Sequence, residues 1–145
     1  MSKQLPENHQ ELVLITGAGS GIGREFTRIF LDAGSNVLAV SLLEDELQTL
    51  KQDFDANGDQ LITLAMDLSQ SDAAQQLFEH CETEGLIVDV LVNNAGFACY
   101  GDAVDEDLGK LSAMLALNIA TVTKTSILFG KQMQQRGAGD ILNVG

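Results

Sequence analysis

Positive charge is scarce in this chain. Eight Lys and Arg stand against 21 Asp and Glu, a net charge of −13 over 145 residues. That excess repels phosphate backbones and anionic lipid, which argues against nucleic acid or a membrane surface as a partner. A small phosphorylated ligand is not excluded, because its site depends on local geometry. Unbroken apolar runs are missing too: none approaches the roughly 20 residues needed to cross a bilayer. The start, Met1 to Glu11, is polar and lacks the apolar stretch of a secretory signal. The two cysteines, Cys81 and Cys99, have no metal-ligand spacing and read as reduced thiols of a cytoplasmic protein, not a disulfide. His9 lies in a polar tail and His80 on a helical pattern, neither with a visible catalytic or metal partner. The single proline, Pro6, falls in that tail, residues 1–10, which reads as frayed. There is no internal repeat, low-complexity tract or linker.

What is present is a core. Apolar residues make up 45% of the chain, and the length suits one domain, residues 11–145. Short apolar runs alternate with amphipathic stretches, the pattern of βαβ units and a parallel sheet. The strand-like runs are Leu12–Thr16, Asn36–Ser41, Leu61–Met66, Val88–Asn93 and Ile141–Val144. Helices are expected near Gly21–Ala33, Glu44–Ala56, Asp72–Glu84 and Asp107–Arg136. Gly34, Asn57-Gly58 and Gly137 stand where helices would close on a left-handed residue, and Ser71 or Asp72 can cap the third helix. The expected fold is a Rossmann-like, doubly wound α/β sheet in strand order 3-2-1-4-5, truncated after the fifth strand.

Between the first strand and the first helix runs Thr16-Gly17-Ala18-Gly19-Ser20-Gly21-Ile22-Gly23. Glycines there allow a tight turn and let backbone N–H groups approach a pyrophosphate, to which the helix N-terminus adds a favourable dipole. The spacing is Gly-x-x-x-Gly-x-Gly, not the commoner Gly-x-Gly-x-x-Gly. With Asp67-Leu68 after the third strand, Asn93-Asn94-Ala95-Gly96 after the fourth, Asn118 in the long helix and Ile141-Leu142-Asn143-Val144-Gly145, it resembles the short-chain dehydrogenase/reductase family.

That resemblance implies a nicotinamide dinucleotide cofactor and a small alcohol or carbonyl substrate. Gly17, Gly19, Ser20, Gly21, Ile22 and Gly23 would line the pyrophosphate. Ser41 would stand at the adenosine ribose, Asp67 would hold the adenine amino group with Leu68 beside the ring, and Asn94, Ala95 and Gly96 would face the cofactor ribose. Asp67 also fits a plain helix-starting acid. An acid at the end of the second strand favours NAD, whereas an arginine there accepts the NADP phosphate. Ser41-Leu42-Leu43 offers neither, and Glu44 and Asp45 suit the first turn of the next helix. NAD or NADP therefore both remain, with NAD favoured because nothing evident would neutralise a 2′-phosphate; Arg24 is the one candidate to reverse this.

On the long helix, Leu108, Leu111, Leu115, Asn118, Val122, Phe129 and Met133 form a stripe that Asn118 interrupts. A buried amide without partners costs about 1–3 kcal/mol, so Asn118 is either satisfied by backbone or functional. The resemblance gives it a part in positioning water for a proton relay. The family's chemistry also uses a Ser and a Tyr-x-x-x-Lys pair, and the only tyrosine, Tyr100, is followed four residues later by Val104. The 145 residues are thus expected to be a fragment, inactive alone and weak in cofactor binding, of a homo-oligomeric enzyme. The alternative is a non-catalytic dinucleotide sensor or interaction module.

Overall fold

The computed structural model describes residues 5–145, so the first four residues of the polar tail lie outside the described residues. Five parallel strands, β1 (Leu12–Thr16), β2 (Asn36–Ser41), β3 (Leu61–Ala65), β4 (Val90–Asn93) and β5 (Asp140–Asn143), form one sheet in the order β3-β2-β1-β4-β5. The expected doubly wound topology is the one found. Helices α1 (Gly21–Asp32), α2 (Glu44–Phe54) and α3 (Ala73–Thr83) connect the strands, and α4 (Leu108–Leu115) and α5 (Val122–Arg136) precede β5.

The central strands are buried on both faces, which is why they are nearly continuous Val, Leu and Ile. One core layer unites Val13, Ile15, Val37 and Ala39 with Leu47 and Leu50 of α2. The other unites Leu14, Leu38 and Leu91 with Leu77 of α3 and Phe129 of α5. Phe78 and Phe129 meet edge to face at 5.2 Å, joining α3 to α5. Gly34, Gly58 and Gly137 take positive φ at the helix exits.

The structure departs from the sequence pattern in three places. First, β4 begins at Val90, not Val88. Just before it, Asp89 N donates to Leu12 O and Asp89 O accepts from Asp140 N, each at 2.9 Å. Its carboxylate accepts from Leu12 N at 2.9 Å and lies 2.7 Å from His9 Nε2 and 3.6 Å from Arg136. His9 therefore has a hydrogen-bond partner, 80 residues away in sequence.

Second, the long helix is not one α-helix. Ala116–Thr121 is a π segment between α4 and α5. Its extra residue rotates the buried face, so Thr121, Thr125, Phe129 and Met133 point inward while Leu108 and Leu115 are exposed.

Third, the combined helix Leu108–Arg136 is 29 residues long with a mean hydropathy of 1.4 over its most apolar stretch. By length and composition alone it could cross a bilayer, although no unbroken apolar run in it is that long. Here it packs on β4 and β5.

Candidate functional site

The site grows from the end of β1. Thr16 is buried, and its Oγ1 accepts from Asn94 N and Ala95 N, both at 3.0 Å, while donating to Val92 O. Asn94 returns the contact, its Nδ2 donating to Thr16 O and Gly17 O at 3.1 Å each. The glycine turn is thereby fastened to the end of β4. These are neighbouring strands whose connections leave in opposite directions, the crevice where ligands enter folds of this kind.

Close packing explains the glycines. Gly17 has φ +64°, and a Cβ on it would sit 2.8 Å from Ala95 Cα. A Cβ on Gly23 would overlap Gly17 O, and one on Gly19 would lie 2.8 Å from Ser41 Oγ and 2.7 Å from Glu46 Cβ. Gly21, at φ +52° with nothing near it, is needed for conformation alone. Ala18 N donates to Val40 O at 3.0 Å, pinning the turn to β2 as well.

Helix α1 opens without a cap. Ser20 is its N-cap in extended backbone, yet the hydroxyl makes no capping bond, and the first turn holds no acid. The leading N–H groups of a helix have no intrahelical acceptor. Ser20 and Ile22 are exposed beside them. These residues fit an anionic group, such as a pyrophosphate, held by backbone N–H and the Ser20 hydroxyl.

At the end of β2, Ser41 is buried and its Oγ donates to Glu46 Oε2 at 2.8 Å. Leu42 and Leu43 turn outward, and Glu44, Asp45 and Glu46 form the first turn of α2. Glu46 escaped the sequence reading. The available signal was that helical side chains lean toward the N-terminus, which lets the third residue of α2 reach back to the strand. Arg24 is engaged elsewhere: it pairs with Asp53 and lies 4.6 Å above the Phe54 ring.

At the end of β3, Asp67 is exposed. Its Oδ1 accepts from Ser69 Oγ at 2.6 Å and Ser69 N at 3.0 Å, and its Oδ2 accepts from Gln70 Nε2 at 2.9 Å. The Ser69 hydroxyl first, then the Gln70 amide, hold its carboxyl below the usual carboxylate range. This turn-forming arrangement leaves room for only part of the carboxylate to meet a ligand. Leu68 is buried in the core beside Ala73 and Leu77, and Thr121 Oγ1 donates to its carbonyl.

Asn118 lies in the π segment and, contrary to the buried amide its position on the stripe suggested, is exposed. Both ends of the amide bond the Phe97 backbone: Nδ2 donates to Phe97 O at 2.8 Å, and Oδ1 accepts from Phe97 N at 3.1 Å. Asn118 thus clamps the loop after β4 to the long helix, and Gly96 leaves the space, since a Cβ there would sit 3.0 Å from Asn118 Oδ1. Beneath lies a polar bridge the sequence did not reveal. Asn93 accepts from Thr125 Oγ1 at 2.8 Å and donates to Ser126 Oγ and Asn143 Oδ1.

The structure therefore brings Gly17, Gly19, Gly23, Ser41, Asn94 and Ala95 into one interlocked group. Asp67 with Leu68, and Asn118 with Gly96, stand at the ends of the flanking strands. A groove of about 860 Å³ lies elsewhere, between α3 and α5, lined by Phe78, Cys81, Leu86, Ile127 and Leu128.

Comparison with known proteins agrees with this fold. Residues 11–145 match the short chain dehydrogenase family profile. A short chain dehydrogenase of Pseudocercospora fijiensis (strain CIRAD86) is 35% identical over 133 residues, covering 90% of this chain and 43% of that protein. Galactitol 2-dehydrogenase (L-tagatose-forming) of Cereibacter sphaeroides is 32% identical over 132 residues, covering 90% of this chain and 50% of that protein. The solved short-chain dehydrogenase of Sphingobium yanoikuyae, in complex with NADPH, superposes with a TM-score of 0.84 at 27% identity, covering 93% of this chain and 53% of that one. The chain spans half or less of the length of these two curated relatives.

Proposed function

The chain belongs to the short-chain dehydrogenase family, and on that premise we propose that it holds a nicotinamide dinucleotide for hydride exchange with a small alcohol or carbonyl substrate. The observation that carries the reading is the uncapped N-terminus of α1, aimed from a glycine turn that Thr16 and Asn94 fasten at the β1–β4 crevice.

In this reading the N–H groups of Gly19 through Gly23 and the Ser20 hydroxyl bind the pyrophosphate. Ser41 stands at the adenosine ribose. Asp67 accepts the adenine amino group through the part of its carboxylate not used by Ser69 and Gln70. Leu68 flanks the ring by its backbone, since its side chain is in the core. Asn94, Ala95 and Gly96 form the polar floor under the second ribose. The bound nicotinamide supplies or accepts the hydride, and the protein orients it. Asn118 spends its amide on Phe97, so its part in water positioning falls to the main chain of the π segment, where the regular ladder is broken.

NAD is the favoured cofactor, because Arg24 is tied to Asp53 and Phe54. Residues 1–145 alone bind cofactor weakly and turn nothing over, since Tyr100 is exposed in a loop and has Val104, not Lys, four residues on. The protein works in the reducing cytoplasm, with Cys81 and Cys99 both free thiols. Exposed Leu115, Ile119 and Ile127 on the long helix support a homo-oligomer.

Calorimetric titration with NAD and NADP tests the site. Gly17→Val is expected to abolish binding. Unchanged affinity in a folded Gly17→Val protein would show that the glycines serve only the turn.

A further inference from the structure

We infer that Glu46, from the first turn of α2, selects NAD over NADP by offering its carboxylate to the adenosine ribose hydroxyls and repelling a 2′-phosphate. The inference rests on the dinucleotide reading of the site and adds to it a residue outside the strand end where the selecting group is ordinarily sought.

At that strand end the chain has nothing to offer. Leu42 and Leu43 are apolar and exposed, and Ser41 is neutral. The carboxylate comes instead from the helix. Because helical side chains lean toward the N-terminus, Glu46 folds back over the end of β2. Ser41 Oγ donates to its Oε2 at 2.8 Å, fixing its orientation and leaving Oε1 without a protein donor among the described residues.

The glycine loop is shaped around this side chain. Gly19 does not need glycine for its dihedral angle, yet any Cβ there would collide with Glu46 and Ser41 Oγ. A carboxylate braced on β2 and lying against Gly19 stands between the loop proposed for the pyrophosphate and the strand ends proposed for the adenine. The adenosine ribose must cross that gap.

The charge around it points the same way. A phosphate monoester carries about −1.5 to −2 near neutral pH. At this corner it would meet the Glu46 carboxylate that Ser41 holds in place. Arg24, the nearby cation the sequence suggested, is held by Asp53 and the Phe54 ring. Ser41 is then a positioning residue that acts through Glu46.

The test is calorimetric titration of the protein with NAD and with NADP, for wild type, Glu46→Gln, Glu46→Asp, Ser41→Ala and the control Glu44→Gln. Cooperative melting of each variant establishes that it is folded. Wild type should bind NAD about a hundredfold more tightly than NADP, where each factor of ten corresponds to ~1.4 kcal/mol. Glu46→Gln should shrink that ratio by about tenfold, weakening NAD and strengthening NADP, the size expected from losing one charge-assisted hydrogen bond and one repulsion. Glu46→Asp should retain part of the ratio, and Ser41→Ala should lower it a few-fold. Glu44→Gln removes the same charge without touching Ser41 or Gly19 and should leave the ratio within about twofold, as expected of a screened, exposed charge. The inference is overturned if wild type prefers NADP, or if Glu46→Gln changes both affinities by the same factor. Wild type binding neither cofactor would overturn the dinucleotide reading itself, and this inference with it.

Discussion

The β1–β2 side of the sheet and the β4–β5 side are built from the same kinds of residue, yet they are finished to different degrees. Around β1 and β2, Val13, Leu14, Ile15, Val37, Leu38 and Val40 have no exposed surface, and the turn above them is tied to both neighbouring strands. At β5, Ile141 and Leu142 are 37% and 42% exposed, and the α5 residue Ile127 is 63% exposed. One side spends its apolar surface on its own core. The other presents apolar surface outward, along its edge strand and on the long helix packed against it. The difference separates a region whose geometry is fixed internally, and can pre-organise a ligand site, from one that gains from being covered.

Core truncation should expose the contrast most strongly. Leu38→Ala removes a fully buried side chain and is expected to cost about 2–5 kcal/mol. Leu142→Ala, half exposed on the edge strand, should cost under about 1 kcal/mol. Chemical denaturation of the two variants measures both. Equal losses would mean that β5 is covered in solution, which a concentration series would then reveal as self-association.

Thr16→Val should come next. It keeps the shape but removes the acceptor shared by Asn94 N and Ala95 N. Leaving part-buried N–H groups without an acceptor should destabilise the protein by about 2–3 kcal/mol. A loss near zero would show that the turn is held by Asn94 alone.

An effect confined to alkaline pH concerns Cys81, a buried residue of α3. Burial pushes its thiol from the usual 9.0 up to about 12. Below pH 9 the thiol is neutral in both folded and unfolded chains, and its titration contributes no pH dependence. As pH rises above 9 the unfolded thiol ionises first, so stability falls until the folded thiol follows near 12. Between pH 9 and 11, Cys81→Ala should therefore show a shallower decline in melting temperature than wild type, by up to ~1.4 kcal/mol of stability per pH unit. Parallel declines would mean that the thiol is solvated in the folded protein.

The contrast also marks what the sequence could convey. The strands and their order were legible because parallel, doubly covered strands leave continuous apolar runs and the helices between them keep their period. The glycine turn was legible because its signature is local, a strand before it, a helix after it and close-set glycines between, two of which, Gly17 and Gly21, take left-handed φ. Contacts across long separations were not. His9 and Asp89 are a pair only because the tail lies beside the start of β4, 80 residues away in sequence. Asn118 seemed a buried amide because the stripe was projected on an unbroken α-helix. The π segment turned it outward to Phe97 and brought Thr121 and Thr125 inward instead. Glu46 looked like one more acid at a helix start, and only the fold brings it to Ser41 and Gly19.

The most direct test of the central claim is a titration of the isotopically labelled protein with NAD, followed by backbone amide shifts. The fastened crevice should respond: the largest changes should fall on Gly19 to Gly23, with further changes at Ser41, Asp67 and Asn94 to Gly96. Amides lining the groove between α3 and α5, Cys81 to Ile87 and Ile127 to Lys131, should stay still. Saturating shifts centred on that groove, with the glycine turn unmoved, would contradict the account.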